Sequence, residues 1–124
     1  MAKVMLMEDD STMRSLLQTL LEMEGFEVAL GSGNTDTLID DLRRQKPDLI
    51  LMDVHLAGEI NGIDLLKEIR SDEEIAHARV ILISGMNYEQ DALAAGADGF
   101  LQKPYMIDDL LNLVREVLPP EKKN

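Results

Sequence analysis

Four apolar residues in a row, Leu49-Ile50-Leu51-Met52, followed at once by Asp53, constrain this chain more than any other stretch. An uninterrupted apolar run has no polar face to turn toward water. It therefore reads as a strand covered on both sides, as in the interior of a parallel sheet. The acid that ends the run then stands at the strand's carboxyl end, where open α/β sheets build their ligand crevices. Two further runs repeat the arrangement: Val4-Met5-Leu6-Met7 ends in Glu8-Asp9-Asp10, and Val80-Ile81-Leu82-Ile83 ends in Ser84.

Helical patterns separate these runs. Met13, Leu16, Leu17 and Leu20 fall at helical spacing, with Asp10 or Ser11 to cap the start and Gly25 to stop the helix. Phe26, Val28 and Leu30 alternate with Glu27 and Ala29 as in a more exposed strand. The loop Gly31-Ser32-Gly33-Asn34 lacks the lysine of a nucleotide loop and reads as a turn. The spacing predicts a helix over Thr35–Gln45 carrying Leu38, Ile39 and Leu42, with Arg43 and Arg44 in its last turn, where cations suit the helix dipole. After the central strand come a loop over Val54–Asn61 and a helix bearing Leu65, Leu66 and Ile69. Beyond the Val80 strand lie a short helix over Glu89–Ala95 stopped by Gly96, a last strand through Phe100 and Leu101, and a final helix from Ile107 to Val117. Strand and helix thus alternate five times. The economical fold is α/β, a doubly wound five-stranded parallel sheet with helices on both faces. A chain of 124 residues suits a single domain, 1–124, with 119–124 as a loose tail or the start of a linker.

Composition excludes several functions. With 24 acidic and 12 basic side chains the formal net charge is −12, which repels nucleic acid and anionic membranes. Without cysteine there is no thiolate chemistry. No apolar run approaches the ~20 residues of a membrane span, and no basic-flanked leader opens the sequence. A cytoplasmic protein is the expectation.

A parallel sheet brings the ends of its strands to one edge, so Glu8, Asp9, Asp53, Ser84 and Lys103 gather there. Three acids and one lysine sum to −3 + 1 = −2, a charge that one divalent cation neutralises. Two like charges 4 Å apart repel by ~4 kcal/mol at an effective dielectric near 20, so such a cluster calls for that cation or a raised pKa. Hard oxygen ligands favour Mg²⁺, which keeps several waters and accepts phosphate oxygens. A carboxylate beside Mg²⁺ and a lysine is equipped to attack phosphorus, forming an acyl phosphate on Asp53 that Ser84 and Lys103 could each contact.

Glu8-Asp9-Asp10 after an apolar strand, Ser11-Thr12-Met13-Arg14 opening a helix, Asp53, Ser84-Gly85 and Lys103-Pro104 occur in this order between Lys3 and Leu118. Together they resemble the receiver domain of two-component response regulators, in its single-domain, chemotaxis-regulator-like form. The resemblance implies a (βα)5 flavodoxin-like sheet of order 2-1-3-4-5. It implies that Asp53 is the phosphoacceptor, that Asp9, Asp53 and the backbone carbonyl of His55 ligate Mg²⁺, and that Glu8 acts through the metal's water. It implies as well that Ser84 and Lys103 contact the phosphoryl group and that the Lys103–Pro104 bond is cis. The implied donor is a histidine kinase or a histidine phosphotransfer protein, and the output is phosphorylation-dependent binding of a downstream protein by a monomer or weak dimer. The chain is then not an enzyme beyond self-phosphorylation and autodephosphorylation.

Several positions depart from the family pattern. Ala57 stands where many receivers carry proline, Phe100 where many carry tyrosine, and the segment from Ser84 to Lys103 is short. His55 and His77 have no metal partners at recognisable spacing and read as surface residues. One alternative is an Asp-nucleophile phosphatase or phosphotransferase acting on small molecules. It is disfavoured by His55 where such enzymes place a second acid. Another is a phosphate-carrier module cut from a larger hybrid protein. A flavodoxin-like cofactor module has only two tyrosines, two phenylalanines and no tryptophan for stacking on a flavin.

Overall fold

The computed structural model describes residues 2–31, 35–56 and 60–118. In chain order its elements are β1 (Lys3–Met7), α1 (Ser11–Met23), β2 (Glu27–Leu30), α2 (Thr35–Gln45), β3 (Leu49–Asp53), β4 (His55–Leu56), β5 (Ile60–Asn61), α3 (Gly62–Ser71), β6 (Arg79–Ser84), α4 (Glu89–Ala94), β7 (Gly99–Gln102) and α5 (Ile107–Val117). Five strands pair in parallel in the order β2-β1-β3-β6-β7, which is 2-1-3-4-5 when the strands of this sheet are counted along the chain. The stretch read from sequence as a plain loop, Val54 to Asn61, contains the antiparallel pair β4–β5, with His55 opposite Asn61. Two-residue strands are too short to show any alternation of polarity, so the sequence carries no sign of them. Ser32 to Asn34, Ala57 and the tail over 119–124 lie outside the described residues.

Apolar residues of both parities in the central strands are needed because helices cover both faces. Val4, Leu6, Leu49, Leu51, Ile81 and Ile83 meet Leu17 and Leu21 of α1 and Leu110 and Val114 of α5. Met5, Met7, Ile50, Met52, Val80 and Leu82 meet Leu38 and Leu42 of α2, Leu65, Leu66 and Ile69 of α3, and Ala92 of α4. Each such side chain contributes ~1.5 to 3 kcal/mol on full burial, so these two layers supply most of what opposes chain entropy.

Helix ends follow local chemistry. Asp10 caps α1 by accepting the Met13 N–H at 3.0 Å, and Asn61 caps α3 by accepting the Ile63 N–H at 2.8 Å. Gly25 (φ +96°) and Gly96 (φ +106°) turn the chain out of α1 and α4 in a conformation that side chains other than glycine rarely adopt. Among the described residues, no helix is long and apolar enough to cross a membrane.

The amino-terminal edge of the sheet is closed by Arg70 at the end of α3. Its guanidinium donates to the carbonyls of Ala76 (2.8 Å), Ala78 (2.6 Å) and Gly96 (2.8 and 3.0 Å), and to Asp98 Oδ2 (3.0 Å). Asp98 in turn accepts the Val80 N–H at 2.9 Å, so one side chain ties the turns that precede β6 and β7.

Candidate functional site

The alternation of side chains decides which strand-end residues meet. In β3, Leu49 and Leu51 face α1 and α5 while Ile50 and Met52 face the other side. Continuing the count puts Asp53 on the α1/α5 face. The same count from Val4 and Leu6 places Glu8 there, and from Leu101 it places Lys103 there. Lys103 Nζ donates to Asp53 Oδ2 at 2.6 Å and lies 3.9 Å from Glu8 Oε1. The sheet ladder extends past its strands to hold these positions: Val54 N–H donates to Ile83 O, and Lys103 N–H to Ser84 O, each at 2.8 Å. The Lys103–Pro104 bond is cis, as the resemblance implies.

Ser84 counts to the opposite parity, with Val80 and Leu82. It is fully buried, and its Oγ accepts the Met86 N–H at 3.1 Å. Its hydroxyl therefore serves the loop after β6 in this state and does not reach Asp53. Asp9 is exposed and makes no hydrogen bond or ion pair with the described residues. Asp10 acts as the cap of α1. The peptide of His55 is folded back on the acceptor, its N–H donating to Asp53 Oδ1 at 3.2 Å, while its exposed ring packs edge-on against Tyr88 with centroids 5.8 Å apart.

Charge and burial act in opposite directions on the lysine. Partial burial lowers the Lys103 pKa, but the hydrogen bond and charge of Asp53, with Glu8 beyond it, outweigh burial and hold the ammonium above its ordinary range. Burial and then the Glu8 carboxylate push the Tyr105 phenol up.

The donors are hard carboxylate and carbonyl oxygens, the chemistry that suits Mg²⁺. Among the described residues, no three or more His, Asp or Glu side chains cluster tightly enough to hold a metal ion by themselves. A divalent ion at this edge would lean on backbone carbonyl and water as well as carboxylate. Magnesium, which keeps several of its waters, fits such a partial set.

Two contributors are not evident from sequence. Gly62, the first residue of α3, is buried with its N–H 2.6 Å from Val54 O. A Cβ there would stand 2.6 Å from the carbonyl oxygen of Asp53 and 3.0 Å from Val54 Cα, so only glycine fits against the Asp53 backbone. The Asn61-Gly62 dipeptide signals a turn, but nothing local reveals what the turn presses on. Tyr105 follows Lys103-Pro104, and its hydroxyl lies 3.9 Å from Met13 Sδ, 92 residues away in sequence.

The five-stranded parallel sheet thus carries an aspartate–lysine ion pair at its carboxyl edge. The chain belongs to the response regulator receiver domain family, whose profile matches residues 4–115. It is therefore a phosphorelay signalling receiver of two-component systems. The chain is 32% identical over 119 residues to chemotaxis protein CheY of Bacillus subtilis strain 168, covering 94% of this chain and 97% of that one. It is 37% identical over 121 residues to transcriptional regulatory protein CpxR of Escherichia coli K12, covering 95% of this chain and 50% of that protein's length. Among solved structures, the receiver domain of sensor histidine kinase PA1611 from Pseudomonas aeruginosa PAO1 superposes with a TM-score of 0.79 at 24% identity, covering 94% of this chain and 96% of that one. That neighbour carries a magnesium ion in its active-site cleft.

Proposed function

We propose that Asp53 accepts a phosphoryl group from a phosphohistidine on a partner kinase or phosphotransfer protein, and that the phosphorylated domain signals by binding a downstream protein. The observation that carries this reading is the 2.6 Å contact between Lys103 Nζ and Asp53 Oδ2 at the carboxyl edge of the central strand. An Asp53 carboxylate oxygen forms the new bond to phosphorus as the bond from phosphorus to the histidine nitrogen breaks, leaving an acyl phosphate and a free imidazole. When bound, Mg²⁺ would be held by Asp9, Asp53 and the His55 carbonyl, with Glu8 acting through one of its waters, and would supply positive charge against the phosphoryl oxygens. Lys103 shifts from the carboxylate to a phosphoryl oxygen, keeping its cation where negative charge arrives. Ser84, whose Oγ accepts the Met86 N–H in this state, turns to donate its hydroxyl to a phosphoryl oxygen, giving up the loop conformation seen here in exchange.

Output follows from that exchange. Phosphorylation brings about 1.5 to 2 negative charges and three acceptor oxygens to the edge. Movement of Ser84 opens space on its face of the sheet, which Phe100 shares through its pairing with Leu82. Phe100 is already half-buried, so turning inward yields less than the ~1.5 to 3 kcal/mol of a full burial. Driving a surface from 1:99 to 99:1 needs ~5.5 kcal/mol, so partner binding supplies the rest. Because Phe100 has no hydroxyl to satisfy, the active arrangement is visited before phosphorylation.

Intact-mass measurement with a small acyl phosphate donor and Mg²⁺ tests the assignment. Addition of one phosphoryl group is expected in the parent and none in Asp53→Asn; full phosphorylation of the Asn variant overturns it. Amide shifts spanning Met86 to Leu111 on adding a phosphoryl mimic test the output. Shifts confined to residues touching the mimic would leave a phosphate carrier without a switch.

A further inference from the structure

Beside the acceptor, the turn from β1 to α1 and the turn from β7 to α5 enclose a cavity of about 480 Å³. Met13 and Ile107 supply apolar lining, Tyr105 an aromatic wall, and Glu8, Asp10 and Lys103 the polar groups. These charges sum to −2 + 1 = −1, and the cation is engaged elsewhere, donating to Asp53 at 2.6 Å. The acids keep spare acceptor capacity. Asp10 uses Oδ1 for the Met13 N–H, and Glu8 uses Oε2 for the Asp10 N–H at 3.3 Å. The Tyr105 hydroxyl meets only the Met13 sulfur, a weak acceptor, at 3.9 Å among the described residues.

This lining selects its occupant. An anion meets two carboxylates, and a neutral apolar group would strip water from those carboxylates without replacing it. A guanidinium on an aliphatic stem satisfies every wall: methylenes against Met13 and Ile107, the planar cation over the Tyr105 ring, and its N–H groups to Glu8 and Asp10. The net charge of −12 draws such a cation from a distance. Glu8 and Lys103 belong both to the cavity and to the cluster around Asp53. A macromolecule whose reacting group reaches Asp53 therefore covers the cavity as it docks.

We propose that the cavity is a socket for an arginine side chain of the protein that delivers the phosphoryl group, an inference that rests on Asp53 being the acceptor. Binding is read by methyl NMR of the full chain, with n-butylguanidinium as the probe and uncharged n-butylurea as its isostere. The expected result is saturable shifts of the Met13 and Ile107 methyls, with the urea at least about fivefold weaker. Asp10→Ser, which keeps a capping hydroxyl, and Tyr105→Leu, which keeps apolar bulk, should each reduce the preference for the cation. Both variants should also slow transfer from a histidine-phosphorylated donor domain at least about fivefold more than they slow loading by a small acyl phosphate. Equal binding of the two probes, shifts only elsewhere, equal slowing with the two donors, or methyl shifts that track protein concentration without probe would each overturn the socket. Intact mass on the same samples reads the acceptor separately. Probe binding without phosphorylation of Asp53 overturns the delivery role, whereas phosphorylation without probe binding overturns the socket alone.

Discussion

The two edges of one parallel sheet handle charge in opposite ways. At the amino-terminal edge donors and acceptors are matched: Arg70 serves three carbonyls and Asp98, Arg43 holds Asp72 at 2.6 Å, and the Lys3 backbone N–H donates to Asp48 at 2.8 Å. At the carboxyl-terminal edge Lys103 is shared between Glu8, at 3.9 Å, and Asp53, at 2.6 Å, while Asp9 and Asp10, which follow Glu8 in the chain, stand exposed. The helix amino termini also gather at that edge, with Asp64, Asp108 and Asp109 in first turns, so the dipoles favour acids there. One edge is built to hold the fold, and the other carries an excess of acids over cations, which suits the proposed cation and phosphoryl group.

The largest expected effect tests the first edge. Arg70→Ala strands four carbonyl and carboxylate acceptors around a side chain that is 23% exposed, and should cost about 2 to 3 kcal/mol in urea denaturation. A loss below ~1 kcal/mol would break the contrast, because the matched edge would then hold little of the stability.

Next comes the backbone under Asp53. Gly62→Ala drives a Cβ to 2.6 Å from a carbonyl oxygen that cannot swing away. A cost of about 1 to 3 kcal/mol is expected, with displacement of the Asp53 and Val54 amide signals and slower phosphorylation. Wild-type stability together with unmoved signals would show that the acceptor's backbone is looser than this packing demands.

The opposite sign is expected at the second edge. In the proposed site Asp9 adds a third acid beside Glu8 and Asp53, so Asp9→Ala should raise stability in chelator by up to ~1 kcal/mol and weaken Mg²⁺ binding. A lower melting temperature in chelator with unchanged Mg²⁺ affinity would show that Asp9 does not belong to the cluster.

The smallest effect concerns pH. The hydrogen bond from Arg43 holds the Asp72 carboxyl below its usual range, even though burial works against it. A lowered folded pKa means that this contribution is complete above the unfolded aspartate value and is lost as pH falls through the lowered one. Urea midpoints should therefore lose this contribution only in the acid range, and Arg43→Gln should flatten that part of the profile. Identical profiles for the two proteins would remove Arg43 from the matched edge.

Most of the architecture is legible because it is local. Apolar runs such as Leu49–Met52 must be covered on both sides, Asp10 and Gly25 bracket α1, and simple alternation puts Asp53, Glu8 and Lys103 on one face. The same alternation separates Ser84 from Asp53, a consequence that becomes plain once the two core layers are seen. The β4–β5 pair left no trace, since two residues cannot display a period.

The amino-acid sequence by itself determined the order of the five parallel strands and five helices, the acids at the strand ends and the start and stop of α1, because each depends on residues within a turn or two. Tertiary structure alone decided that Arg70 would reach Gly96 and Asp98, that Gly62 would press on the Asp53 carbonyl, and that Tyr105 would close a cavity with Met13. Those contacts join residues beyond the reach of one helical turn or strand, whose meeting depends on how helices seat on a twisted sheet. No local preference encodes that distance, and the chemistry beside Asp53 depends on it.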